Sequence, residues 1–95
     1  MAYASNIHVA VYQVLDQVMT ARLPPPGAKA MIHSIIDDLY SARAPRPMIA
    51  CAEKISVQLH HLEAAVRRGA ENDASHARAA LKIIAAEWLD CRISH

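Results

Sequence analysis

Apolar positions recur three or four residues apart along most of the chain. The clearest run is Met48, Ala52, Ile55, Leu59, Leu62 and Val66, spaced four, three, four, three, four. Ala74, Ala77, Leu81, Ile84, Trp88 and Cys91 keep nearly the same rhythm further on. Ala28, Ile32, Ile35, Ile36 and Leu39 form a shorter stripe. Near the start, Ala4, Ile7, Val11, Val14 and Val18 make one stripe, with His8, Tyr12, Leu15 and Met19 beside it. Spacing of this kind lines one side of a helix. No segment alternates apolar and polar residues as a half-buried strand does.

Breaks separate the stripes. Leu23-Pro24-Pro25-Pro26-Gly27 and Ala44-Pro45-Arg46-Pro47 cannot be helix interior, because proline lacks an amide donor and restricts the residue before it. In Arg68-Gly69-Ala70-Glu71-Asn72-Asp73, Gly69 suits a helix C-cap, and Asn72 or Asp73 suits the next N-cap. The pattern predicts helices over about 5–22, 27–43, 47–68 and 73–93. Short connections then fold them into an all-α antiparallel four-helix bundle, a single domain over 1–95.

Composition sharpens this picture. Nineteen of the 95 residues are alanine and none is phenylalanine, which favours close helix packing over bulky core contacts. Ten basic and nine acidic residues leave a net charge of +1, against the basic stripe expected of a nucleic-acid binder. No apolar run approaches the roughly 20 residues of a membrane span, and Met1 to Asn6 lack the start of an export signal. The expectation is therefore a cytoplasmic protein. High alanine and seven arginines to three lysines suit a GC-rich bacterial genome.

Candidate chemistry is sparse. Cys51 and Cys91 lie equally far from the turn near residue 71, so the last hairpin is expected to set them level. That makes a disulfide or half a metal site conceivable. Zinc needs about four ligands, no histidine is expected at that height, and a buried cytoplasmic thiol usually packs as a small hydrophobe. No metal or cofactor is expected. Lys29, His33 and Asp37 follow at intervals of four, the base half of a triad. Ser34 and Ser41 do not share that edge, so ordinary pairs along the helix are the reading. His8 and His76 border apolar faces and are expected to be partly buried. Without a glycine-rich phosphate loop or a pair of carboxylates, the sequence assembles no active site.

His60 and His61 fall mid-helix and point outward. The stretch Leu59-His60-His61-Leu62-Glu63-Ala64-Ala65-Val66-Arg67-Arg68-Gly69 resembles a helix of histidine phosphotransfer domains. The resemblance spans about one hairpin and implies a bundle in which His60 or His61 accepts a phosphoryl group. Such domains place a lysine and a glycine soon after that histidine. Here Glu63 and Ala64 occupy the region, and a carboxylate there repels phosphate.

The surplus lies on the back of the last helix. Ala79, Ile83, Ala86, Leu89 and Ile93 stand largely opposite its core stripe, where a helix in a lone bundle should be polar. A contiguous apolar patch often marks an interface. The expectation is a non-enzymatic regulator, adaptor or inhibitor that binds another protein, an antiactivator or phage-type inhibitor being examples, and that forms a homodimer. A histidine phosphotransfer-like domain and a nucleic-acid-binding accessory protein are the alternatives.

Overall fold

A computed structural model describes residues 2–20 and 24–93, with side chains over 9–20, at 24 and over 26–88. Among the described residues there are four helices and no strand: α1 (Ala2–Met19), α2 (Pro25–Ser41), α3 (Arg46–Arg68) and α4 (Glu71–Ile93). Each packs on its neighbours in sequence, and α1 closes the ring against α4. The α3–α4 contact is the most extensive, followed by α2–α3. The result is the expected antiparallel bundle, 41 × 21 × 20 Å.

The core follows the stripes. Val11, Val14, Leu15 and Val18 of α1 meet Ala28, Ile32, Ile35 and Leu39 of α2. Met48, Ala52, Ile55, Leu59 and Leu62 of α3 join Ala74, Ala77, Leu81, Ile84 and Trp88 of α4. Val66 departs from expectation. It is 49% exposed, and Ala65 takes the inner place. The two positions lie about 100° apart round the helix, so the buried side shifts toward the Ala65 edge over the last turn before Gly69, where the Ala70 amide folds back onto the Ala65 carbonyl. Ile36 is only partly buried.

Three helix starts lie earlier than the breaks suggest. Pro25 and Pro26 occupy the first two positions of α2, after Pro24 at the N-cap, and the Ala28 amide donates to the Pro24 carbonyl at 3.1 Å. First-turn amides have no partner inside the helix, so proline loses nothing there. Arg46 and Pro47 open α3 in the same way, behind Pro45. At α4 the expected caps are displaced. The helix begins at Glu71, and the Ala70 carbonyl accepts the Ala74 amide at 3.0 Å. Asn72 and Asp73 therefore lie within the first turn, where the charge of Asp73 complements the positive end of the helix dipole.

Two helices end on the same device. After α3, Gly69 adopts φ 70, the Ala70 amide donates to the Ala65 carbonyl at 2.9 Å, and the Gly69 amide to that of Val66 at 3.1 Å. After α2, Arg43 adopts φ 54, Ala44 donates to Leu39 at 2.9 Å, and Arg43 to Tyr40 at 3.1 Å. Both are Schellman motifs, which satisfy the last carbonyls of a helix by one left-handed residue. Each is sealed by an apolar contact on the core, through Ala44 and Ala70.

Candidate functional site

The outward face of α4 carries the expected apolar stripe as far as side chains are described. Ala79, Ile83 and Ala86 are exposed, and Ile83, at 64%, is the most exposed large hydrophobic residue among them. Leu89 and Ile93 lie outside the described side chains. Val57 of α3, half exposed, falls with Ile83 between two ion pairs that clasp the hairpin. These are Lys54–Glu87 at 3.6 Å and Arg68–Asp73 at 3.2 Å. Both are open to water and contribute at most about 1 kcal/mol each, so they fix alignment more than they stabilise.

A second concentration of chemistry runs along the α2–α3 seam, and it corrects one expectation. Lys29 and His33 do not pair along their own helix but reach across to α3. His33 Nε2 lies 2.9 Å from Ser56 Oγ. Lys29 Nζ stands 3.2 Å from Glu63 Oε2 and 3.4 Å from His60 Nδ1. Since an ammonium only donates, His60 accepts at Nδ1 in that contact. Further along, the Tyr40 hydroxyl donates to Glu53 at 3.1 Å. The hydrogen bond to Glu53, together with its negative charge, raises the Tyr40 pKa above its ordinary 10.0. Asp37 is exposed. Ser56 was missed by the sequence reading, which sought a nucleophile for His33 only on α2. Its one available signal was its place one turn after Ala52, at the edge of the core stripe of α3.

His60 and His61 are both exposed, as expected, with ring centroids 6.1 Å apart and planes at 60°. Glu63 binds Lys29 on one side and Arg67, at 2.8 Å, on the other. The cation nearest His60 is thus already matched by a carboxylate. His61 lines a shallow α3–α4 groove with Gln58, Arg68, Asp73 and His76. His76 is exposed rather than partly buried, because it flanks that groove instead of entering the core. The side chain of His8 lies outside the described residues.

Cys51 is buried, and its thiol donates to the Ile84 carbonyl at 3.7 Å. The side chain of Cys91, its expected partner, lies outside the described residues. Among the described residues no cluster of three or more histidines, cysteines or carboxylates could hold a metal ion. No helix among them is long and apolar enough to cross a membrane. Arg43 and Arg46 mark the α2–α3 end of the bundle and Arg67 and Arg68 the α3–α4 end. These four arginines therefore stand in two pairs at opposite ends of the bundle.

The fold defines an all-α antiparallel helical bundle with an apolar outer stripe on its last helix. Compared with known proteins, the chain significantly matches no family model, no curated sequence and no solved structure.

Proposed function

We propose that the protein acts by binding, as a small helical regulator, adaptor or inhibitor, and that the outer face of α4 is its contact surface. The single observation that carries this reading is Ile83, 64% exposed between the small, exposed Ala79 and Ala86. Small residues on either side of an exposed aliphatic let a second helix come close enough to cover it. Fully covering an exposed isoleucine contributes roughly 1.5–3 kcal/mol, of which Ile83 has part still to gain at 64% exposure, although rigid-body entropy offsets much of it. A second copy of the chain is the first occupant to test, giving a homodimer that needs no cofactor.

The alternatives have less support. In phosphotransfer, the phosphoryl group on His60 would meet Glu63, which already holds Lys29 at 3.2 Å. In nucleic-acid binding, the arginines at opposite ends of the bundle would have to act together across its length.

Sedimentation of the wild type against Ile83→Glu tests the reading. A concentration-dependent dimer that the substitution dissociates, at unchanged helicity, supports it. A wild type that stays monomeric at high concentration removes the homodimer. If Ile83→Glu leaves every assembly intact, the stripe is ordinary surface.

A further inference from the structure

The contact between His33 and Ser56 is the one place among the described side chains where a hydroxyl and an imidazole nitrogen meet, 2.9 Å apart. We propose that Ser56 is a site of covalent acylation by activated acyl esters, with His33 as its general base. With the ring proton on Nδ1, His33 Nε2 is the acceptor and the Ser56 hydroxyl the donor. An aliphatic hydroxyl is a weak nucleophile until an adjacent base takes its proton. Here the base is supplied from α2 and the nucleophile from α3, and the hairpin holds them in reach. Ser56 is half-buried and His33 exposed, so the pair opens to solvent along the seam.

The step balances without a further reactant. Ser56 Oγ attacks the ester carbonyl carbon and its proton passes to His33 Nε2. The tetrahedral intermediate collapses, the bond to the leaving oxygen breaks, and an aryloxide departs with the electron pair. The product is an ester on Ser56. Turnover is not part of the proposal. Ser56 lies in mid-helix, where the backbone amides are already bonded within α3, so no spare pair of donors faces the developing oxyanion. The site therefore takes up acyl groups stoichiometrically from donors with a good leaving group.

The chain contains its own controls. Ser34, Ser41 and Ser75 are more exposed than Ser56. If access alone governed the reaction, they would be labelled first. The test is brief exposure of the whole chain to 4-nitrophenyl acetate at neutral pH, followed by peptide mass spectrometry that ranks the acetylated residues by rate. Ser56 is expected to lead the other three serines. His33→Gln, which keeps a polar group able to meet the hydroxyl, should slow Ser56 labelling by roughly 10²–10⁴-fold, the range of general-base catalysis, and leave Ser34 and Ser75 unchanged. Circular dichroism of the variant checks that the seam still forms. Labelling of Ser56 no faster than of Ser34 or Ser75, or equal in wild type and His33→Gln, overturns the proposal.

Discussion

The Ala44 amide donates to the Leu39 carbonyl at 2.9 Å, and it does so only because Arg43, between them, turns left-handed at φ 54. A residue with a side chain pays about 1–2 kcal/mol for that conformation. Glycine would avoid the cost, less about 0.5–1 kcal/mol for its freer unfolded chain. Arg43→Gly should therefore stabilise the protein by about 0.5–1 kcal/mol. Gly69 is the mirror case. A Cβ there meets nothing within 4 Å, so Gly69→Ala loses through backbone strain alone, by about 1 kcal/mol. Thermal unfolding reads both, at roughly 4–8 °C per kcal/mol for a domain of this size. A loss of stability in Arg43→Gly would contradict the reading of the first turn, and a gain in Gly69→Ala that of the second.

Tyr40 should titrate later than a free phenol. Its neutral hydroxyl donates to Glu53, and ionisation would set two negative charges side by side. Because the folded pKa lies above the unfolded 10.0, the stabilisation is present below pH 10 and is lost as pH rises through the raised value. Absorbance at 295 nm, compared between wild type and Glu53→Gln, should show one tyrosine moving back toward the ordinary range. Superimposable titrations would mean that the hydrogen bond does not persist in solution.

Leu59 and Ile83 should differ sharply. Leu59 is fully buried, and Leu59→Ala should cost about 2–5 kcal/mol in lost transfer energy and cavity. Ile83→Ala, at a position open to water, should stay within about 0.5 kcal/mol for the monomer. Urea titration at low concentration separates the two. A large loss at Ile83 in the monomer would place it in the core and remove it as a contact residue.

Cys51 should resist modification. Its thiol is buried and bonded to the Ile84 carbonyl. In a Cys91→Ser background, an aromatic disulfide reagent should react with Cys51 orders of magnitude faster in urea than in buffer. Equal rates would show that this end of the α3–α4 interface opens freely.

How far the sequence spoke for the structure depended on the range of the interaction. Ile32, Leu59 and Leu81 were placed correctly because helical spacing is a local property and a helix buries whichever side is apolar. Pro25 and Pro26 announced a break, but a proline excluded from a helix interior is at home in its first turn. Asn72 and Asp73 read as caps, yet Gly69 ends one helix so tightly that Ala70 already caps the next. The partners of His33 and Lys29 were out of reach. Each pair joins residues more than twenty positions apart, and periodicity gives the side a residue faces, not the side chain it meets. The apolar back of α4 was legible at Ala79, Ile83 and Ala86 for the same reason the core was.

The cross-helix contacts at Lys29, His33 and Tyr40 carry a consequence for how the chain selects one fold. The apolar ladder of α3 is nearly unchanged by translation: moved seven residues, Met48 falls on Ile55, Ile55 on Leu62, and Ala52 on Leu59. By oil-like contacts alone, α2 could sit about 10 Å higher or lower along α3 at little cost. The polar groups remove that degeneracy. Slipped one way, Lys29 comes level with Arg67 and His33 with Glu63. Slipped the other, Lys29 comes level with Glu53 and keeps an ion pair, but His33 exchanges Ser56 for Ile49 and Tyr40 exchanges Glu53 for Arg46. Each contact is worth little in stability, but together they open an energy gap between the native alignment and its nearest competitors.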